Sequence, residues 1–368
     1  MPIYMDRHDV SENVTAENVA QLHQADIKIQ DKFNCRGLTY WFDENRKTAF
    51  CLIEAPNKEA IKEMHNHAHG EVPNRIIEVD SNIVESFLGR IEDPVNAQNT
   101  KLNIINDPAF RVIMVLKTSS YLNRLEANQF NLFAQKFHNS VIKSLKYFKG
   151  SIVKRDNNHY LASFKSVSNA VSCILKIQSN FKYVTPKFDL KNRKIKIALS
   201  AGVPVSDEKN LFEEAIVLAA RMCDIVNAEL VISYEVKVLY ESENRNLIID
   251  NKLIKALDPS EEKFLIKLMN YVEQVWNASS FNVNNFSKGL GYSKSQFYRK
   301  LLKLTGLSPN NFIKEYRLQK ALELLHKQSS NISEIAYESG FNSPAYFSKC
   351  FMEKYGILPS KYIQQHKI

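Results

Sequence analysis

Three regimes of hydrophobic and polar alternation follow one another along the 368 residues. In the first, apolar positions recur with period two. Leu38, Tyr40 and Phe42 lie on one side of the polar turn Asp43-Glu44-Asn45-Arg46, with Phe50 and Leu52 on the other. That alternation predicts a hairpin of half-buried strands. The flanking segments read as strand 2–8, helix 16–32, strand 37–43, strand 48–54, helix 58–68 and strand 75–79. Thr15 is placed to cap the first helix, Val14 and Val19 to staple it, and Asn57 to cap the second. The βαββαβ order over residues 1–92 predicts a ferredoxin-like sandwich.

The second regime mixes both periods over residues 110–240, after a polar stretch at 93–109 that reads as linker. It predicts strand 111–117, helix 125–148, a hairpin over 151–164 turning at Asp156-Asn157-Asn158, helix 167–180, strand 193–201, helix 211–226 and strand 229–233. The third regime, residues 258–368, is helical throughout and repeats one pattern, at Phe281 to Gly306 and again at Asn331 to Gly356. In each copy a short amphipathic helix ends near a glycine, Gly291 or Gly340, and a second helix follows behind a serine cap, Ser293 or Ser343. Ser293 with Gln296 and Asn331 with Glu334 are capping-box spacings, and Pro344 occupies a first helical position, where its missing N–H costs nothing. Residues 310–328 read as one long amphipathic helix between the copies. The fold class is therefore α+β and multidomain: a ferredoxin-like head, a central α/β domain and an all-α tail with two helix-turn-helix units.

Composition narrows the class. No apolar run approaches the ~18 residues of a spanning helix, and the start lacks the order of a signal peptide, so the expected setting is cytoplasmic and away from membranes. The five cysteines lack paired spacing, which argues against a disulfide framework or a zinc knuckle. The net charge of +9 is uneven: residues 1–92 hold 10 Lys/Arg against 16 Asp/Glu, and residues 258–368 hold 15 against 9. An acidic head suits a cation and a basic tail suits phosphates.

In the tail, Phe297, Leu301 and Leu304 on one helix and Phe347 and Phe351 on the other fall on core faces. The outward residues of the two reading helices are Lys294, Ser295, Gln296, Tyr298, Arg299 and Lys300, then Ser343, Ala345, Tyr346, Ser348 and Lys349. Short polar and Arg side chains on the leading half of such a helix meet base edges, and Lys further along meets phosphates. The pattern Ile335-Ala336, Gly340-Phe341, Tyr346-Phe347-Ser348-Lys349-Cys350-Phe351 and Gly356-Ile357-Leu358-Pro359-Ser360-Lys361-Tyr362 resembles the DNA-binding domain of AraC-type transcription regulators. Lys288-Gly289 departs from the family's usual small residue there. The resemblance implies double-stranded DNA as partner, a homodimer, and RNA polymerase as a further candidate partner.

Five of the nine histidines fall in the first 69 residues. His65 and His69 stand at i and i+4, so both imidazoles leave one helix face, as a metal clamp requires. The same spacing also occurs on solvated polar faces. His8 on the first strand and His23 on the first helix are candidates to complete an imidazole set, with Asp9 and Asp26 as acidic neighbours that orient the rings. His67 points away. The stretches Tyr40-Trp41-Phe42-Asp43, Ala49 to Pro56, Ala68-His69-Gly70 and Ile76-Ile77-Glu78-Val79 are similar to a small family of bacterial nickel-binding ferredoxin-like proteins. That resemblance implies nickel or another divalent transition metal, ligands His8, His23, His65 and His69, and dimerisation.

Residues 110–240 resemble class III nucleotide cyclases, on Val153-Lys154, Tyr160 to Phe164, Leu199-Ser200-Ala201-Gly202 and Leu218-Ala219-Ala220-Arg221. Cyclisation needs two carboxylates that hold paired metal ions. The first strand, Val112 to Lys117, has none, the turn position is Asn158, and Val217 replaces the family's asparagine. Only Arg221 remains. The expectation is a non-enzymatic, metal-responsive DNA-binding regulator with a disarmed central domain. The competing readings are a cyclase-related enzyme and a regulator that senses a small organic effector.

Overall fold

The computed structural model describes residues 1–94, 102–120, 127–156, 158–184, 193–245, 249–278, 283–327 and 331–366. Phe281, Asn157 and residues 95–101 lie outside them. The head runs β1 (Ile3–Asp9), α1 (Ala16–Ile29), β2 (Arg36–Asp43), β3 (Thr48–Glu54), α2 (Lys58–Ala68) and β4 (Arg75–Val79), with sheet order β2-β3-β1-β4. β1 is central and antiparallel to both neighbours. This is the expected ferredoxin-like arrangement. Thr15 and Asn18 form the capping box of α1, and Asn57 accepts from the Ala60 N–H at the start of α2. A helix that pattern reading missed, α3 (Ser81–Leu88), follows β4 and is capped by Asp80.

The middle domain repeats the same topology. It runs β5 (Arg111–Ser120), α4 (Ala127–Tyr147), β6 (Ser151–Arg155), β7 (His159–Phe164), α5 (Val167–Val184) and β8 (Arg193–Gly202). Its four core strands stand in the order β8-β5-β7-β6, to which β9 (Leu230–Ile232) is added parallel beside β8 and β10 (Lys255–Ala256) parallel beside β9 at the edge. Two helices complete it, α6 (Glu213–Ile225) and α7 (Tyr234–Glu243). One sheet face packs on α4, α5 and α7 through Met114, Leu116, Phe137, Ile174 and Ile197.

The tail comprises α8 (Pro259–Val275), α9 (Val283–Gly289), α10 (Lys294–Thr305), α11 (Pro309–Lys327), α12 (Ile332–Glu338), α13 (Pro344–Tyr355) and α14 (Pro359–His366). Both helix-turn-helix units form where the repeat placed them.

The three units share one apolar core. It runs from the head sheet (Met5, Trp41, Phe50, Leu52) through α3 (Phe87) and the middle domain (Phe212, Ala219, Met222) to the first helix-turn-helix (Phe264, Phe286, Phe297). The stretch expected to be linker departs from that reading. Ile105 and Ala109 are buried, and the Tyr40 hydroxyl donates to the Asn103 carbonyl at 2.6 Å and accepts from the Ile105 N–H at 2.7 Å. The physical reason is that two apolar residues in a polar run suffice to anchor it when a sheet edge is near. Arg111, 1% exposed, donates to the carbonyls of Phe87 and Leu88 at the end of α3 and to those of Pro108 and Phe110. A helix C-terminus leaves such carbonyls unpaired, and a cation there is stabilising. Burial pushes the Arg111 pKa down to about 10, which leaves it charged at neutral pH.

Candidate metal centre and nucleic-acid interface

Strand alternation sends Asp6 and His8 of β1 toward the helices, and Met5 and Arg7 toward the middle domain. Asp6 is fully buried. Its Oδ1 accepts the Cys51 N–H at 2.9 Å and lies 3.5 Å from His8 Nε2, while its Oδ2 lies 2.9 Å from His65 Nε2. From α1, Asp26 places Oδ1 3.1 Å from both His65 Nδ1 and His69 Nε2, and those two nitrogens are 3.3 Å apart. The Glu71 N–H donates to His69 Nδ1 at 3.1 Å. His23 is also buried, its ring 4.9 Å from that of Tyr40, and a Cβ on Gly37 would stand 3.4 Å from it.

The electrostatics follow from burial. Desolvation opposes charge on His65, but contacts with Asp26 and Asp6 and their negative charges outweigh it and push its pKa up to about 10. His65 is thus an imidazolium at neutral pH, held between two carboxylates. Desolvation likewise opposes the Asp6 carboxylate, yet the charge of His8 and the contact with His65 hold its pKa below the usual range. His23 is pushed down by burial and stays neutral.

The residues fit a transition-metal ion. His8 Nε2 and His23 Nε2 are buried without a hydrogen-bond partner. Buried polar atoms normally find one, and each exception asks for an explanation. Among the described residues there are two separate groups, Asp6, His8 and Cys51, and Asp26, His65 and His69, within each of which the donor atoms lie within 4.8 Å of one another. Imidazole and carboxylate donors in this mixture suit nickel, zinc, copper or cobalt.

Of the four predicted histidines, His65 and His69 share one donor group with Asp26 and His8 stands in the other with Asp6 and Cys51, its ring 5.0 Å from that of His65, whereas His23 is buried beside Tyr40 and belongs to neither group. Asp26 takes the orienting role expected of it, whereas Asp9 pairs with Arg7 at 2.8 Å and accepts nothing from the rings. His67 is exposed, its ring tilted against that of Phe33 at 5.2 Å. Pattern reading missed Asp6 and Cys51. The strand alternation of Tyr4, Asp6 and His8 was a signal for Asp6. The Cys51 thiol is pushed well up by burial, and nothing in its sequence neighbourhood marked it.

In the tail the side chains of Ser293, Asn331 and Ser343 cap α10, α12 and α13. Phe297, Leu301, Phe347 and Phe351 are fully buried and turn the opposite faces outward. Lys294, Ser295, Gln296, Tyr298, Arg299, Ala345, Tyr346 and Lys349 are exposed, and Ser348 is half-buried. Two predicted residues are occupied elsewhere. Lys300 leans over the rings of Tyr292 and Phe264, at 5.7 and 5.8 Å, and the Ser343 hydroxyl accepts the Tyr346 N–H. Within Lys288-Gly289 the glycine is sterically required: a Cβ on Gly289 would lie 2.4 Å from the Tyr271 ring. A cleft of about 430 Å³ beside Ser343 and Tyr346 is lined by Asn310, Asn311, Lys314 and Asn342, which the sequence reading passed over.

α11 joins the two units. Phe312 and Tyr316 pack in the core of the first, and Leu318, Ala321 and Leu325 in that of the second. Arg317 donates to the carbonyls of Trp276 and Ala278, and Lys354 of α13 pairs with Glu315 at 2.7 Å.

Such an arrangement defines a class: a paired helix-turn-helix domain attached to a histidine- and carboxylate-rich sandwich. Residues 4–79 match the family described as nickel responsive protein SCO4226-like, and residues 286–365 match a helix-turn-helix domain family. The chain thus carries an amino-terminal domain of the SCO4226-like kind and a carboxy-terminal AraC-type helix-turn-helix domain. It is 41% identical over 115 residues to histidine kinase P4 of Formosa agariphila, covering 29% of this chain and 8% of that protein. It is 31% identical over 96 residues to the HTH-type transcriptional regulator MtrA of Neisseria gonorrhoeae, covering 26% of this chain and 30% of that one. The crystal structure of SCO4226 from Streptomyces coelicolor A3(2) is 32% identical, covers 21% of this chain and 94% of its own, and superposes with a TM-score of 0.20. The chain spans less than half the length of the curated relatives it matches.

Proposed function

We propose that this protein is a DNA-binding transcription regulator whose head responds to a transition-metal ion, nickel in the first place. The observation that carries the reading is the pair of capped helices, α10 and α13, each burying an aromatic face and exposing a polar one on a single rigid tail. The N-terminal half of each would enter the major groove, with Gln296, Arg299 and Ala345 near base edges and Lys294 and Lys349 on phosphates. Asn310, Asn311 and Lys314 would contact backbone beside the second unit. Double-stranded DNA is the partner, which puts the site of action in the cytoplasm. A homodimer is the proposed functional form, matching paired half-sites, and RNA polymerase is the proposed further partner.

In the head, His8, His23, His65 and His69 would supply nitrogens, with Asp26 and Asp6 either orienting the rings or ligating. A bound divalent ion supplies positive charge and fixed ligand directions at the seam of β1, α1 and α2. Asp6 and Asp26 hold His65 in place, and the buried surroundings exclude water from all three groups.

The middle domain serves, in this reading, as a non-catalytic scaffold. β5 carries no carboxylate from Val112 to Leu116, and Arg221 is paired with Glu273 of α8 at 3.0 Å. A guanidinium held by the tail is not free for a substrate phosphate. Production of a cyclic nucleotide from ATP or GTP by the purified chain would overturn this part.

The test of the whole is a calorimetric nickel titration of the full chain beside the His65→Ala/His69→Ala variant, followed by DNA binding with and without the ion. Saturable binding that the variant loses, and DNA affinity that changes with nickel only in the wild type, is the expected result. A variant that binds nickel as the wild type does, or DNA affinity indifferent to the ion, would remove the metal response.

A further inference from the structure

The charge of the middle domain is not explained by any role assigned so far. Residues 127–184, which form α4, the β6–β7 hairpin and α5, hold nine Lys/Arg against a single acid, Asp156. Several of these positions have ordinary reasons. Lys146 and Lys182 sit in the last turns of α4 and α5, where cations offset the helix dipole. Lys165 pairs with Asp107, and Arg155 lies against His138. Lys136, Lys143 and Lys176 have no such reason. They stand away from the helix ends, are exposed, and pair with no carboxylate among the described residues.

These three lysines line one groove between α4 and α5, of about 880 Å³, together with Asn139, Asn180 and two tyrosines. Tyr147 is 80% and Tyr183 90% exposed, which is unusual for aromatic side chains on a packed domain. Ammonium groups, amides and phenol hydroxyls are the donors that contact phosphate oxygens without regard to base sequence. Three unpaired like charges on one groove also repel one another, and a polyanion relieves that repulsion.

We propose that the α4–α5 groove is a second, sequence-independent DNA contact that engages the phosphate backbone of duplex flanking the site read by the tail. The inference rests on the DNA-binding reading of α10 and α13. Its ligand chemistry comes from the groove, and the choice of DNA comes from linkage: a duplex held by the tail is tethered to the groove and present at high effective concentration. The groove lies on the sheet face that packs on α4, α5 and α7, whereas the tail packs against α6 on the other face. To reach it, a duplex must extend past the segment under the reading helices.

The test uses the full chain and its Lys136→Gln/Lys143→Gln/Lys176→Gln variant, whose fold is checked by its thermal transition. A duplex of about 20 base pairs, enough for two successive major-groove contacts, is recovered from a random pool by the full chain, then extended by about two helical turns on each side. Affinities are measured across salt concentrations. The wild type should bind the extended duplex more tightly, with a steeper salt dependence. The variant should lose that gain, its slope on the extended duplex falling by about 2 to 3 units, while its affinity for the short duplex stays unchanged. Equal wild-type slopes on the two duplexes, or a variant with the wild-type slope on the extended one, would overturn the proposal and leave the DNA-binding reading standing. Failure to recover any duplex from the pool would overturn both. A variant that loses self-association but keeps full DNA affinity would also overturn it, and would point to the acidic head of a second copy as the occupant.

Discussion

Asp6 has no exposed surface, stands between His8 and His65, and holds the Cys51 N–H. Its carboxylate holds Nε2 of His65 at 2.9 Å and so fixes the orientation of that ring. Asp6→Asn preserves shape and can still accept from Cys51, but removes the carboxylate charge. Nickel affinity should fall about 10- to 100-fold, as for other groups that orient metal-binding histidines; an unchanged calorimetric titration would show that Asp6 only supports the strand. Gly289 illustrates a steric constraint on a single residue. Gly289→Ala would place a methyl group 2.4 Å from the Tyr271 ring, which itself stacks on Phe286. The tail should lose about 1–3 kcal/mol of stability, read by urea unfolding. Adding Tyr271→Ala should recover part of that loss, because the two changes share one contact.

At the scale of elements, the two reading helices are alike in build and unlike in what they expose. α10 begins with Lys294 and carries Arg299; α13 begins with Pro344 and offers Ala345, Tyr346 and Lys349. The first is richer in groups able to read a base by charge-assisted hydrogen bonds, the second in apolar contact. Arg299→Ala should therefore weaken binding by about 1–3 kcal/mol and relax sequence preference within one half-site. Lys349→Ala should lower affinity for all sequences alike and flatten the salt dependence by about one unit. Selection from a random pool separates the two outcomes, and a Lys349→Ala protein with an unaltered salt slope would argue against a phosphate contact. α11 fixes the distance between the heads. Its 19 residues span about 28 Å, close to one turn of duplex.

At the scale of the molecule, the notable feature is that head, middle and tail are packed into one core. β1 is the shared element: Asp6 and His8 belong to the histidine–carboxylate cluster, while Arg7 on the opposite face donates to the Val205 carbonyl at 3.2 Å. Arg75 on β4 pairs with Asp207 in the same loop. That loop leads through Phe212 into α6, and after α6 the Asn227 N–H donates to the Leu304 carbonyl at the end of α10. A displacement of β1 thus has a packed route to the first reading helix. The Arg7→Ala/Arg75→Ala variant should bind nickel within a few-fold of the wild type and bind DNA, yet show a smaller change in DNA affinity on adding nickel. Coupling of wild-type size in that variant would mean that the signal travels by another path.

Local chemistry made much of this legible. The bounds of β3, α2 and β4 match those read from alternation, because strand and helix periods leave unambiguous marks where one face is buried. The capping boxes at Ser293 and Asn331 were legible because capping is a contact between residues three apart. His65 and His69 were legible for the same reason, being separated by one helical turn. Everything that depends on distant residues meeting was decided by tertiary structure alone. The approach of Asp6 and Cys51 to the histidines, the burial of Ile105 and Ala109 in a polar run, the turning aside of Lys300, and the capture of Arg221 by Glu273 all need a neighbour from another element. Sequence by itself determined the elements, their order and the chemical kinds of the two sites, since those follow from contacts within a few residues. Only packing decided which faces meet, which charges are neutralised, and that the histidine–carboxylate cluster and the first reading helix belong to one continuous body.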